Sequence, residues 1–217
     1  MNFSAVFDNL GFLLEASWLT IYLSFVSFLI ALFIGVIIGT FRSLKNSWFV
    51  NSLIGTYIEI FRGTPLLIQL FFIYYGLPQI GIVMSSHQAA IIGLSLNFGA
   101  YMAEIVRAGI QAIPKGQYEA ADSLGLNKIQ MFIHIIYPQA FKIVLPPLTN
   151  TYASILKDSS LVSVLSITEL TRAGQLIYVR TYEPFEIYLT LGFFYFAMTY
   201  TIAIFSKYLE KKVSRQD

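Results

Sequence analysis

Apolar residues in this chain come in long unbroken runs, and polar residues gather between the runs instead of alternating with them. Within 3–14, Phe3, Val6, Phe7, Leu10, Leu13 and Leu14 fall at helical spacing with Asp8 and Asn9 opposite. That pattern predicts a short helix lying in a membrane interface. Residues 18–40 carry no charge, are long enough to cross a bilayer, and are followed by Arg42 and Lys45. A second run covers 53–80 and a shorter third covers 89–103. A fourth starts near Met131 and is interrupted by Pro138, Lys142, Pro146 and Pro147. The fifth, 187–205, leads into Lys207, Lys211, Lys212 and Arg215. The pattern predicts an all-α membrane protein with five transmembrane helices. It divides into an extracytoplasmic or interfacial segment (1–17), one membrane domain (18–208) and a cytoplasmic tail (209–217).

One segment breaks the pattern. Glu119-Ala120-Ala121-Asp122-Ser123-Leu124-Gly125 reads as a short polar helix closed by a glycine, set between two apolar runs. Such a helix has no reason to enter lipid. Gly116 and Gln117 open it, Glu119 is placed to face the positive end of its dipole, and Ala120 and Ala121 allow another surface to approach. Gly125 lets the chain turn back toward the membrane. Taken alone, these residues fit a solvated loop as well as a docking helix.

Composition agrees with the pattern. Hydrophobic residues make up 56%, charged residues only 12%, and mean hydropathy is +0.66, against about 25% charged residues in a soluble domain. A net charge of +2 is too small to suggest nucleic acid. Without cysteine, disulfides and thiolate metal sites are excluded. The first seventeen residues hold no Lys or Arg, so no cleavable signal is expected and the first span is retained. Placing the N-terminus outside puts Arg42, Lys45, Arg107, Lys115, Lys128, Lys207, Lys211, Lys212 and Arg215 inside. Only Lys157, Arg172 and Arg180 then lie outside. The positive-inside rule therefore predicts an external N-terminus, a cytoplasmic C-terminus and a cytoplasmic polar helix.

Catalytic chemistry is not legible. There is no Gly-x-x-x-x-Gly-Lys-Ser/Thr phosphate loop and no His-Glu-x-x-His, and His87 and His134 are far apart in the expected topology. The spacing of three in Glu59/Arg62 and Glu104/Arg107 predicts two structural ion pairs. Pro146 and Pro147 each lack an N–H, so a discontinuous segment over 145–161 is expected. Freed backbone groups at membrane depth belong where they line a cavity. Lys157 in that segment pairs with Asp158, snorkels to the outer interface, or helps hold a substrate carboxylate beside Ser159 and Ser160. Asn150, Thr151 and Ser154 are candidates to face a pathway. Gln69 and Asn97 either line it or hydrogen-bond between packed helices. No acid occurs in 145–156, which disfavours cationic cargo unless Asp158 or another span supplies the charge.

The polar helix, with Ile135-x-x-Pro138 trailing it, resembles the EAA loop of binding-protein-dependent ABC import permeases, Tyr137 standing where that pattern has leucine. Phe61-Arg62-Gly63-Thr64-Pro65-Leu66, Gln69, Tyr74 to Pro78, Ala100-Tyr101, Glu104, Arg107-Ala108 and Leu156-Lys157-Asp158-Ser159-Ser160-Leu161 are similar to the polar amino acid permease family. Within it the chain looks most like cystine-type permeases, through Gly76 to Gln79, Gly93 to Asn97 and Leu145 to Leu148. The resemblance implies a type I importer transmembrane domain in a bacterial inner membrane. It implies a second permease copy or sister permease, two ATPase subunits and an extracytoplasmic solute-binding protein. The helix at Glu119, Ala120, Ala121 and Gly125 would couple to the ATPase, and ATP and Mg would reside there and not in this chain. A non-energised channel or an assembly scaffold is the competing expectation.

Overall fold

A computed structural model describes residues 3–44 and 47–214, so Lys45 and Arg215 of the charge pattern lie outside the described residues. Every element among them is helical: α1 (Ser4–Asp8), α2 (Leu10–Ser43), α3 (Trp48–Gly63), α4 (Leu66–Phe71), α5 (Ser86–Gln111), α6 (Lys115–Ser123), α7 (Lys128–Met131), α8 (Tyr137–Asp158), α9 (Leu170–Thr181) and α10 (Pro184–Ser214). Four stretches are long and apolar enough to cross a membrane: Leu10–Ser43, Ser86–Gln111, Lys128–Leu165 and Pro184–Lys212. At the place of the second expected run, α3 and Leu66–Ile80 pass the same test only as a pair bent by 107°, a broken span or a re-entrant loop, so among the described residues there are four spans, or five if that pair is one.

α2 and α5 form the spine. The face of α2 turned inward carries Ala16, Thr20, Ser24, Ser27, Ala31, Gly35 and Gly39, all buried and all small. In lipid, where apolar surface gives no drive for association, small residues let backbones close on one another and gain dispersion contacts. Gly35 and Gly39 form a small-xxx-small pair. A Cβ at Gly39 would collide with the Ala103 carbonyl and lie 2.8 Å from the Val106 Cβ. Two hydroxyls beside this face bond inside their own helix, Ser17 to the Leu13 carbonyl at 2.7 Å and Ser24 to that of Thr20 at 2.6 Å, while Ser95 of α5 donates across the seam to the Ser27 carbonyl at 3.3 Å and the Ser27 hydroxyl is buried without a partner among the described residues. Around the spine, Leu23, Leu70, Leu94, Met102, Leu148 and Ile155 form the main core.

Three expectations change. The interfacial helix is shorter than its apolar spacing suggested, because from Leu10 onward the same residues extend the first span. α8 runs unbroken through Pro146 and Pro147. A proline ring fixes φ near the helical value, so two adjacent prolines remove two donors without forcing the chain to turn. The break occurs instead at Gly63-Thr64-Pro65, where Pro65 disfavours helix at the preceding residue and Thr64 is extended at ψ 146°.

A buried polar cluster ties α9 to its neighbours. Glu169, fully buried, caps α9 by accepting the N–H groups of Thr171 and Arg172, each at 2.9 Å. It also accepts the Tyr195 hydroxyl of α10 at 3.0 Å, while the Leu170 N–H donates to the Thr20 hydroxyl of α2 at 3.1 Å. Burial pushes the Glu169 carboxyl up to about 6, and these donors work against that rise.

Candidate functional site

The polar helix predicted from sequence is α6. Its C-terminus follows directly from Gly125, whose φ of +72° suits glycine. The Gly125 N–H donates to the Asp122 carbonyl at 3.0 Å and the Leu126 N–H to that of Ala121 at 3.1 Å. This pair of bonds is the Schellman closure. α6 starts one residue earlier than expected, at Lys115, which puts Glu119 in the second turn. The dipole effect fades within the first turn, so Glu119 gains no stabilisation from it.

The alanines divide between two faces. Ala121 is fully buried in a cluster with Val106, Ile110, Ile113, Met131, Ile136 and Ala140, so it seats α6 on its own membrane body and offers nothing to a partner. Tyr118 donates to the Ile110 carbonyl at 3.1 Å, and Gln139 donates to Gln117 at 3.1 Å. These bonds make α6 part of the rigid body that contains the ends of α5 and α8. Glu119, Ala120, Asp122 and Gly125 are exposed, and Leu124 and Ile129 beside them leave 75% and 71% of their surface uncovered. That outer face combines acidic, small and apolar groups.

A cavity of about 560 Å³ opens at the broken span. Arg62, Gly63, Thr64, Pro65 and Leu66 contribute the break itself, Asn97, Phe98 and Tyr101 come from α5, and Thr151, Ser154 and Asp158 from α8. Gln69, a candidate lining residue, instead repairs the break. Its amide donates to the Phe61 carbonyl at 3.0 Å, the Thr64 carbonyl at 3.1 Å and the Thr64 hydroxyl at 2.8 Å. Asn97 donates to the Phe61 carbonyl at 2.9 Å and to the Gln69 side-chain oxygen at 3.0 Å. A helix end leaves carbonyls without partners, and these two amides satisfy them at depth.

Charge is arranged differently from the spacing rule. Glu104 accepts Arg107 of its own helix at 2.8 Å as expected, and it also pairs with Arg42 of α2, which sequence spacing could not reveal. The expected Glu59–Arg62 pair is absent: Glu59 is exposed, and Arg62 lies over the Tyr101 ring, 5.3 Å from its centroid. Lys157 and Asp158, adjacent in sequence, separate. Asp158 lines the cavity at the break, whereas Lys157 and Ser160 line another of about 370 Å³ with Thr171, Tyr188, Leu191, Gly192 and Tyr195. Ser159 is buried and donates to the Leu156 carbonyl at 2.8 Å, and Asn150 is exposed with its carbonyl accepting Ser154 at 3.3 Å. Thr151 borders the cavity while its hydroxyl bonds the Pro147 carbonyl at 2.8 Å. Among the described residues no group of three or more His, Cys, Asp or Glu could hold a metal.

Residues 11–215 match the family of binding-protein-dependent transport system inner membrane components. The chain belongs to this family. It is 38% identical over 214 residues to a probable amino-acid ABC transporter permease, YckA, of Bacillus subtilis strain 168, covering 97% of this chain and 93% of that one. It is 35% identical over 197 residues to the L-cystine transport system permease TcyB of the same organism, covering 90% and 84%. Among solved structures it superimposes on an amino acid ABC transporter crystallised with histidines. The TM-score is 0.91 at 36% identity, over 98% of this chain and 99% of that one. The fold is therefore that of a type I ABC importer transmembrane domain, and the protein is an inner-membrane transport component. Within that fold, α6 is the polar helix between two spans and the cavity at Gly63-Thr64-Pro65 is the polar opening beside a broken one.

Proposed function

We propose that this chain is the permease subunit of an ATP-driven, binding-protein-dependent importer of polar amino acids, and that the cavity at the α3–α4 break receives the substrate. The observation that carries this reading is one cation and one anion on the same cavity, Arg62 and Asp158, with Thr64, Asn97, Thr151 and Ser154 between them. A zwitterion offers a carboxylate to the guanidinium and an ammonium to the carboxylate. With both charges engaged, no counter-ion remains for a charged side chain, so amino acids with neutral polar side chains fit better than lysine or arginine. Asp158, not Lys157, is the charged residue of that segment that meets the cargo.

The exposed face of α6 around Glu119, Ala120 and Gly125 docks on an ATPase subunit, where ATP and Mg are bound and hydrolysed. Two permeases, identical or sister, face one another over two such ATPases, and an extracytoplasmic solute-binding protein delivers the cargo. The N-terminus is outside and the C-terminus cytoplasmic. ATPase closure pushes α6, and because α6 is bonded to the ends of α5 and α8 the push rocks those helices between inward and outward states. Uptake by vesicles holding permease, ATPase and binding protein tests the reading. Asp158→Asn should raise the apparent KM for a labelled neutral amino acid about tenfold or more, the scale of one lost charge-assisted bond. Uptake that persists without ATP would instead identify a non-energised channel.

A further inference from the structure

Lys157, the penultimate residue of α8, is an exposed cation near the end of an apolar stretch that runs through Lys128–Leu165. Among the described residues no carboxylate lies within ion-pair distance of it and it makes no hydrogen bond; Asp158 interacts with it only at longer range, from a different cavity. At a membrane face, a cation without a contact ion pair attracts anionic lipid headgroups. Its own cavity holds the hydroxyl residues Ser160, Thr171, Tyr188 and Tyr195 and no carboxylate. The acid behind that wall, Glu169, is fully buried and committed to the α9 cap and the Tyr195 hydroxyl.

Position and surroundings narrow the occupant. Lys157 lies twenty residues beyond Tyr137, which packs beside α6. At about 1.5 Å per residue that is roughly 30 Å, the thickness of the hydrocarbon core, so the pocket sits at the membrane face opposite α6. Tyr188, Gly192 and Tyr195 occupy one face of α10. One residue further round, Leu189, Phe193 and Phe196 form an apolar stripe that is 54%, 68% and 63% exposed. Tyr188 also borders a neighbouring cavity of about 730 Å³ that carries Arg172 and Arg180. Neither arginine has a carboxylate partner among the described residues, and Arg180 donates to the Leu176 carbonyl at 2.9 Å.

We propose that this pocket seats the phosphate of an anionic phospholipid from the leaflet opposite α6. Lys157 is its charge partner, the hydroxyls of Ser160 and Tyr188 are donors, and an acyl chain lies along Leu189, Phe193 and Phe196. A cationic, hydroxyl-lined pocket joined to an exposed apolar stripe matches a headgroup and its tail together. An acidic loop of a soluble protein would use the first and leave the second uncovered.

The complete importer, reconstituted in phosphatidylcholine vesicles doped with photoreactive phosphatidylglycerol or photoreactive phosphatidylcholine, tests this without reference to transport. The phosphatidylglycerol probe should label peptides from α9 and the first half of α10 in excess of the phosphatidylcholine probe. Lys157→Met should lower that labelling about fivefold, the worth of one basic side chain at an anionic surface, and Lys157→Arg should retain it. Equal labelling by the two lipids, or labelling unchanged in Lys157→Met, would overturn the proposal. Displacement of the label by added solute-binding protein would also overturn it, by assigning the pocket to an acidic protein surface.

Discussion

Leu126 donates its N–H to the carbonyl of Ala121 at 3.1 Å across Gly125, and this bond fixes where α6 ends and at what angle the chain returns to the membrane. The geometry requires φ of +72° at Gly125, a region costing L-residues on the order of 1–2 kcal/mol and β-branched ones more. Gly125→Val should therefore uncouple ATP hydrolysis from uptake while the membrane helices still insert. Gly125→Asn should retain most activity, since asparagine enters that region readily. Equal activity in both variants, measured as uptake per ATP hydrolysed, would show that the closure of α6 is not the functional element.

The α2–α5 seam gives a stability prediction. At Gly39 an added Cβ meets the Ala103 backbone, which cannot move as a flexible side chain would. Gly39→Val should lower stability by about 1–3 kcal/mol, the usual cost of overpacking. Gly55, with nothing within 4 Å of its ideal Cβ position, should accept alanine with little effect. Thermal unfolding in detergent compares the two directly.

Glu169 links stability to pH. Its carboxyl titrates near 6 in the folded protein against an ordinary 4.5, chiefly because it is buried. The folded state thus holds this proton more tightly than the unfolded chain. Its contribution to stability is complete below about 4.5 and is lost as pH rises through about 6, amounting to roughly 2 kcal/mol. Between those limits the wild-type unfolding temperature should fall more steeply than that of Glu169→Gln, which does not titrate. Parallel profiles would mean that the carboxyl is not perturbed.

Gln69 is a test of how the broken span is held. Removing its amide leaves the Phe61 carbonyl with only Asn97 and the Thr64 carbonyl without its amide donor, at about 1–3 kcal/mol for an unsatisfied buried group. Gln69→Leu should destabilise the protein and reduce uptake, because the same break supplies five residues of the cavity wall. Unfolding temperature and uptake that both match wild type would remove Gln69 from this role.

The spans were legible because some twenty consecutive apolar residues have few alternatives to crossing a bilayer, and α6 was legible because its glycine and its polarity both interrupt that pattern. Pro146-Pro147 misled for a physical reason. Two prolines draw the eye as breakers, yet their fixed φ is helical, and α8 is held in place by Val144 against Gly109 and Leu148 in the main core. Gly63-Thr64-Pro65 carried the true signal in the restriction that Pro65 imposes on Thr64. The Arg42–Glu104 pair joins residues sixty-two apart, and the parting of Lys157 from Asp158 depends on rotation about one helix end. Neither is encoded in local spacing, so both required the packed structure.

Ala120 and Ala121, adjacent and identical in sequence, should respond in opposite ways to enlargement. Ala121 is fully buried against Ile110, Met131 and Ile136, so Ala121→Trp must push α6 off its own body and should cost stability even in the isolated permease, by about 1–3 kcal/mol or more. Ala120 is exposed, so Ala120→Trp leaves the permease as stable as wild type. If the outer face meets an ATPase, the indole at position 120 occupies the space the ATPase needs, and co-purification of that subunit should fall sharply. Measuring permease unfolding temperature and ATPase recovery together separates the two faces. Were Ala120→Trp to recover the ATPase in full, the exposed face of α6 would not be the surface that carries force into the membrane.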